Sequence, residues 1–218
     1  MPEVNLLARY PKSKRNVQAR LENKEENRAL AMKFDKEYFD GTREQGYGGF
    51  KYDGRWIPIA EDIVRHYDLK AGDRVLDIGC AKGFLVKDLM KVCPGLEVFG
   101  IDVSTYAVMN CEPEVVGRLQ VGDARKLPFP NKSFKVVLAI NVIHNLTYEE
   151  CLIAINEINR VSVMGSYIQV DAYKGDSEKQ LFLDWVLTAK TYGPPNYWEE
   201  LFLKAGYRGD YFWTIMDQ

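Results

Sequence analysis

The stretch Arg74–Lys91 reads RVLDIGCAKGFLVKDLMK, and the rest of the chain is organised around it. Arg74 to Ile78 is a short apolar run with a single acid, Asp77, the pattern of a strand buried on both faces. Gly79 to Gly83 is a tight turn bracketed by glycine, the residue that lets a backbone turn sharply or approach a neighbour closely. Phe84, Leu85, Val86, Leu89 and Met90 then recur at helical spacing. Strand, glycine turn and helix in this order leave free N–H groups and the positive end of a helix dipole at the turn, a seat for a carboxylate or phosphate.

The dinucleotide fingerprint G-x-G-x-x-G fits the turn poorly, because its positions fall on Gly79, Ala81 and Phe84. The pattern D-x-G-x-(G/A)-x-G fits it, through Asp77, Gly79, Ala81 and Gly83. This resembles motif I of the class I S-adenosylmethionine (SAM) methyltransferases. The resemblance implies that Asp77 and the turn, Gly79, Cys80, Ala81 and Gly83, hold the methionine end of SAM. Leu96–Asp102 reads as a second strand ending in an acid. Asp102 lies about 20 residues past the turn, where a carboxylate accepts hydrogen bonds from ribose hydroxyls, with Val103 beside it. Leu119–Ala124 is a third strand, and its G-D-A resembles the adenine motif of the same family. That implies cofactor contacts from Gly122, Asp123 and Ala124, with Asp123 receiving the exocyclic amine. Phe134–Asn141 is a fourth strand, and Asn141 is expected either to touch the methionine portion or the acceptor, or only to form a turn. Four strand ends in series, each with a polar residue, match a ligand crevice at the carboxyl edge of an α/β sheet.

The expected fold is therefore an α/β, Rossmann-like class I methyltransferase sandwich. Its sheet is mostly parallel with helices on both faces, and the family order makes the last strand or strands antiparallel. Residues 57–218 are expected to form the SAM-binding domain and residues 1–56 an arm, helix and lid on the same compact unit. Met1–Asn16 reads as a solvated, partly mobile arm with a basic cluster at Lys12, Lys14 and Arg15. Val17 to about Lys33 reads as a helix by propensity. Glu37–Trp56, dense in glycine and aromatics, reads either as a loop plugging the sheet edge or as a lid, with Tyr47, Tyr52 and Trp56 walling the acceptor pocket.

At 218 residues with 46% hydrophobic and 28% charged, the chain can bury one sizeable core. A net charge of −2 and no basic face argue against nucleic acid as partner. The apolar runs fall short of the ~18 residues of a membrane span, and no signal-peptide pattern opens the sequence. The four cysteines lack a C-x-x-C pair and, with two histidines, build no zinc site; they read as reduced thiols of a cytoplasmic protein.

A closer resemblance rests on YGGFKYDGRW, VLDIGCAKGFL, IDVS, VGDARKLPFP, INVIHNL and the aromatic tail. These are similar to a group of small bacterial methyltransferases associated with polysaccharide and nucleotide-sugar pathways. The implied activity is methyl transfer from SAM to an oxygen or nitrogen of a small polar metabolite, by a monomer or homodimer. A hydroxyl acceptor must lose a proton, and His144, just past the fourth strand with an ordinary pKa of about 6.5, is the candidate base. Asp171 and Tyr173, at the end of a fifth strand, are candidates for lining the acceptor side, together with Trp185, Tyr197 and Trp198. Other readings stay open: an N-methyltransferase of small amines or amino acids, a SAM-binding protein without catalysis, a nicotinamide oxidoreductase, and a protein or RNA acceptor.

Overall fold

The computed structural model describes residues 2–11 and 16–215. Six strands form one sheet: β1 (Arg74–Ile78), β2 (Glu97–Asp102), β3 (Leu119–Val121), β4 (Phe134–Ile140), β5 (Ser162–Ala172) and β6 (Asp210–Ile215). Their order is β3-β2-β1-β4-β5-β6, and every neighbouring pair is parallel. The helices are α1 (Val17–Leu21), α2 (Lys24–Ala31), α3 (Lys36–Asp40), α4 (Ile57–His66), α5 (Phe84–Val92), α6 (Thr105–Met109), α7 (Tyr148–Val161), α8 (Asp176–Trp185) and α9 (Pro195–Lys204).

Alternation along the central strands builds two cores, one on each side of the sheet. Val75, Val98, Val136, Leu138 and Tyr167 pack against Ile59 and Ile63 of α4 and Leu85, Val86 and Leu89 of α5. Leu76, Ile78, Ile101, Val137, Ile168 and Val170 pack against Ile155 and Ile158 of α7 and Trp198, Leu201 and Phe202 of α9. The crossovers put the switch in strand order between β1 and β4, so the β1 turn and the chain after β4 flank one crevice.

Three expectations are corrected. The last strand is parallel, not antiparallel. From the end of β5 the chain crosses through α8 and α9 and returns to the starting end of β5, so β6 runs in the same direction. An antiparallel edge would need a second strand and a hairpin, and among the described residues only one strand follows α9.

The arm is docked rather than solvated. Val4 N–H reaches Tyr211 O at 2.9 Å and Tyr211 N–H reaches Pro2 O at 3.2 Å, so the arm pairs with the otherwise open edge of β6. Leu6 is buried in the core, and the Arg9 guanidinium forks onto Asp62 with two bonds of 2.8 Å. The basic cluster Lys12, Lys14 and Arg15 lies outside the described residues.

The helix read over residues 17–33 is broken into α1 and α2. Asn23 sits at φ −132° between them, consistent with the poor fit of asparagine to a helix interior.

Candidate functional site

The turn after β1 is held by left-handed backbone at three positions: Gly79 (φ +73°), Ala81 (φ +49°) and Gly83 (φ +80°). Side chains crowd both glycines. A Cβ on Gly79 would sit 2.1 Å from Val142 Cγ2, and one on Gly83 would sit 2.8 Å from Val115. Asp102 pins the turn to β2, since its Oδ2 accepts Ala81 N–H and its Oδ1 accepts Ser104 N–H, both at 2.8 Å. Burial pushes the Asp102 carboxyl up, and these two amides only partly offset it. Asp77 is buried beneath the turn; burial, then the proximity of Asp102, pushes its pKa up to about 8.

Two adjoining cavities follow the strand ends. The smaller, about 200 Å³, brings together Asp102, Val103, Gly122, Asp123, Ala124 and Asn141. The larger, about 1350 Å³, takes in Asp77, Cys80, His144, Asp171, Tyr47 and Trp56. Gly79, Ala81, Asn141 and Tyr47 line both, so the two form a continuous crevice.

Asn141 stands at φ +58°, a conformation asparagine tolerates better than most residues, and this places the chain for the turn into His144. The Asp123 carboxylate already has a partner. Arg125 Nε donates to both its oxygens at 2.9 Å and Arg125 N–H to one at 2.8 Å, which keeps the carboxyl below its ordinary range.

Several sequence candidates fall outside the crevice. Gly83 lines neither cavity and serves the packing of Val115 and Leu119. Tyr52 turns away, its hydroxyl donating to Asp88 of α5 at 2.6 Å. Tyr173 packs on Phe182, and Trp198 is core with its indole N–H on Asp171 O. Trp185 does line the larger cavity. The sequence reading missed Tyr38, which lines both cavities, and Arg20, a buried guanidinium that donates to Arg43 O, to Gly46 O at 3.0 Å and to Trp185 O at 3.1 Å. It missed Gln169 and Thr214 as well, because nothing local marks a strand-end residue as cavity lining. Tyr38 did carry a signal, the aromatic density of its segment.

His144 is buried, and burial lowers its pKa against the opposing pull of Asp171, so the imidazole is neutral at pH 7. Its Nδ1 accepts Asp171 N–H at 3.2 Å and lies 4.0 Å from Asp171 Oδ2. With Nδ1 accepting, the proton resides on Nε2.

Comparison with known proteins agrees with the geometry. Residues 76–170 match a family described as "Methyltransferase domain". The chain is 29% identical over 117 residues to malonyl-[acyl-carrier protein] O-methyltransferase of Legionella pneumophila, an alignment covering 51% of this chain and 40% of that protein. It is 26% identical over 192 residues to 2-methyl-6-phytyl-1,4-hydroquinone methyltransferase of Synechocystis sp., covering 79% of this chain and 56% of that protein. The chain thus spans about half or less of the length of these curated relatives. A SAM-dependent methyltransferase from Archaeoglobus fulgidus shares the fold with a TM-score of 0.55 at 22% identity, covering 79% of this chain and 72% of that one. The family match over residues 76–170 and the shared Rossmann-like fold make this stretch similar to SAM-dependent methyltransferase domains, and they support SAM as its cofactor.

The residues present suit that cofactor. Asp77 presents a carboxyl to the larger cavity, and no described residue hydrogen-bonds it, which leaves it for an ammonium group. Asp102 keeps a second lone-pair direction on each oxygen for ribose hydroxyls. The exposed Val103 side chain offers an apolar face for a base.

Proposed function

We propose that the protein transfers a methyl group from SAM to an oxygen or nitrogen of a small polar metabolite, a nucleotide sugar being the class the crevice supports best. The larger cavity carries this reading. It adjoins the cofactor turn, and its lining combines Trp56, Trp185 and Tyr47 with Arg43, Lys51 and Lys174. Aromatic faces suit a sugar ring, and cations suit a diphosphate. Bound SAM supplies a sulfonium-activated methyl group. The chain's own residues hold and orient the acceptor and keep water out, with Tyr38 and Tyr47 between the two cavities.

In this proposal His144 is the base for a hydroxyl acceptor, and Asp171 positions it. To accept a proton at Nε2 the imidazole must first carry its own on Nδ1. The Asp171 carboxylate, 4.0 Å away, is the group placed to pair with it there. The tautomer implied by the Asp171 N–H bond to Nδ1 favours a second reading, in which Nε2–H donates a hydrogen bond to an acceptor that already bears negative charge and needs no base.

The test is turnover with SAM and a panel of nucleotide sugars, sugars and amines, read as S-adenosylhomocysteine (SAH) release and as a product one methyl group heavier. His144→Ala is expected to cut kcat by at least about 100-fold with SAH affinity preserved. A kcat that stays independent of pH below neutrality in the wild type supports the donor reading instead. Unchanged kcat in His144→Ala removes both roles.

A further inference from the structure

The charged side chain of the glycine turn does not face the crevice. Lys82 is buried, and its ammonium reaches the two carboxylate oxygens of Asp40 at 2.6 and 2.8 Å and Phe50 O at 3.3 Å. Asp40 is the last residue of α3, and it also accepts Tyr106 O–H at 2.6 Å and Phe50 N–H at 3.1 Å. The Phe50 ring lies parallel on Phe84, the first residue of α5, with centroids 4.5 Å apart. One turn further along α5, Asp88 takes the Tyr52 hydroxyl at 2.6 Å, while its other carboxylate oxygen is buried without a partner. Residues 36–52 are thus fastened to the turn and to one face of α5. The same segment carries Tyr38 and Tyr47, which line both cavities.

Lys82 is largely buried while the Asp40 side chain keeps 26% exposure, and an ion pair so placed contributes little net stability, because its attraction is offset by the water its ions give up. Its value is positional, and it is easily exchanged for hydration when its two halves separate. Here the halves belong to different segments, so separation is lid opening. Opening would likewise hydrate the unpartnered oxygen of Asp88.

We propose that Lys82 is a positioning residue for the cofactor site: through Asp40 it holds the segment bearing Tyr38 and Tyr47 over the crevice, and so sets how long SAM or SAH stays bound. Its side chain lines neither cavity. Its substitution therefore acts on dissociation and leaves the binding groups Asp77 and Asp102 in place.

The experiment is stopped-flow dissociation of SAH from the full chain, followed by intrinsic tryptophan fluorescence, with Lys82→Met, Lys82→Arg, Asp40→Asn and the Lys82→Met/Asp40→Asn double variant. Lys82→Met and Asp40→Asn are each expected to speed SAH release roughly tenfold with association changed less than about twofold. The double variant should be no faster than either single one, and Lys82→Arg should stay close to wild type. Asp40→Asn, nearly isosteric and outside the turn, carries the test if Lys82→Met does not fold. Unchanged release in Asp40→Asn, or single effects that add fully in the double variant, overturns the proposal.

Discussion

Asp77 is a crevice residue held far from its ordinary protonation state. Its folded pKa, raised to about 8, lies above its unfolded value, so the native state holds the proton more tightly. Stability of the unliganded protein therefore falls as pH rises from the ordinary carboxylate range through 8, where the buried group is forced to ionise. Melting temperatures of wild type and Asp77→Asn, compared from pH 5 upward, should diverge in favour of the variant. SAH binding should run the other way on the acid side, strengthening as Asp77 ionises, and weaken again at higher pH as the ligand's amine loses its proton. Asp77→Asn should lose the acid limb of that profile by calorimetry.

Asp102→Ala should weaken SAM and SAH at least tenfold, since a carboxylate taking two hydroxyls contributes roughly 1.5–3 kcal/mol. Near-normal affinity by calorimetry would contradict the ribose assignment. Ala81, at φ +49°, bears strain that glycine lacks, so Ala81→Gly should raise the melting temperature by about 2 °C. At this scale a residue's place at the crevice was legible where a residue type and a strand end coincide, as at Asp77, Asp102 and Asn141. It was illegible where a long side chain chooses its own direction. Tyr52 and Tyr173 turn into local packing, and Arg125 reaches back onto Asp123.

Among the elements, the strands and helices of the central sheet were readable because each carries its own period. β1, α5, β2 and β4 begin and end within a residue or two of where hydrophobic spacing puts them. Thr147 starts α7 with a capping box, its N–H meeting the Glu150 carboxylate at 2.9 Å. The direction of β6 and the docking of the arm were not readable. Both depend on what lies beside an edge strand, and no local pattern reports that. The break between α1 and α2 is a propensity signal at Asn23 that the surrounding charged, helix-favouring residues masked. α7 supplies a test of the second core. Ile155 is fully buried under the sheet, and Ile155→Ala should cost about 2–5 kcal/mol by urea unfolding, with SAH affinity of the remaining folded protein unchanged.

For the whole molecule, one sheet brings four strand ends to a common edge. Segments from both ends of the described chain close over that edge: the arm, α1, the aromatic segment and β6 all line the larger cavity. The cofactor half of this arrangement was legible because it is written as short motifs at fixed places on a regular sheet. The larger cavity, the proposed acceptor half, is assembled from the irregular segments, so its volume and its mixture of aromatic and cationic lining emerge only in three dimensions. The most direct test of the account is calorimetric titration of SAH into the protein, alone and in the presence of each member of a nucleotide-sugar panel. Micromolar SAH binding is expected, tightened at least about fivefold by one nucleotide sugar, as follows for two ligands sharing one crevice. SAH binding that no member of the panel alters would contradict the nucleotide-sugar assignment, and no SAH binding at all would contradict the site built on Asp77 and Asp102.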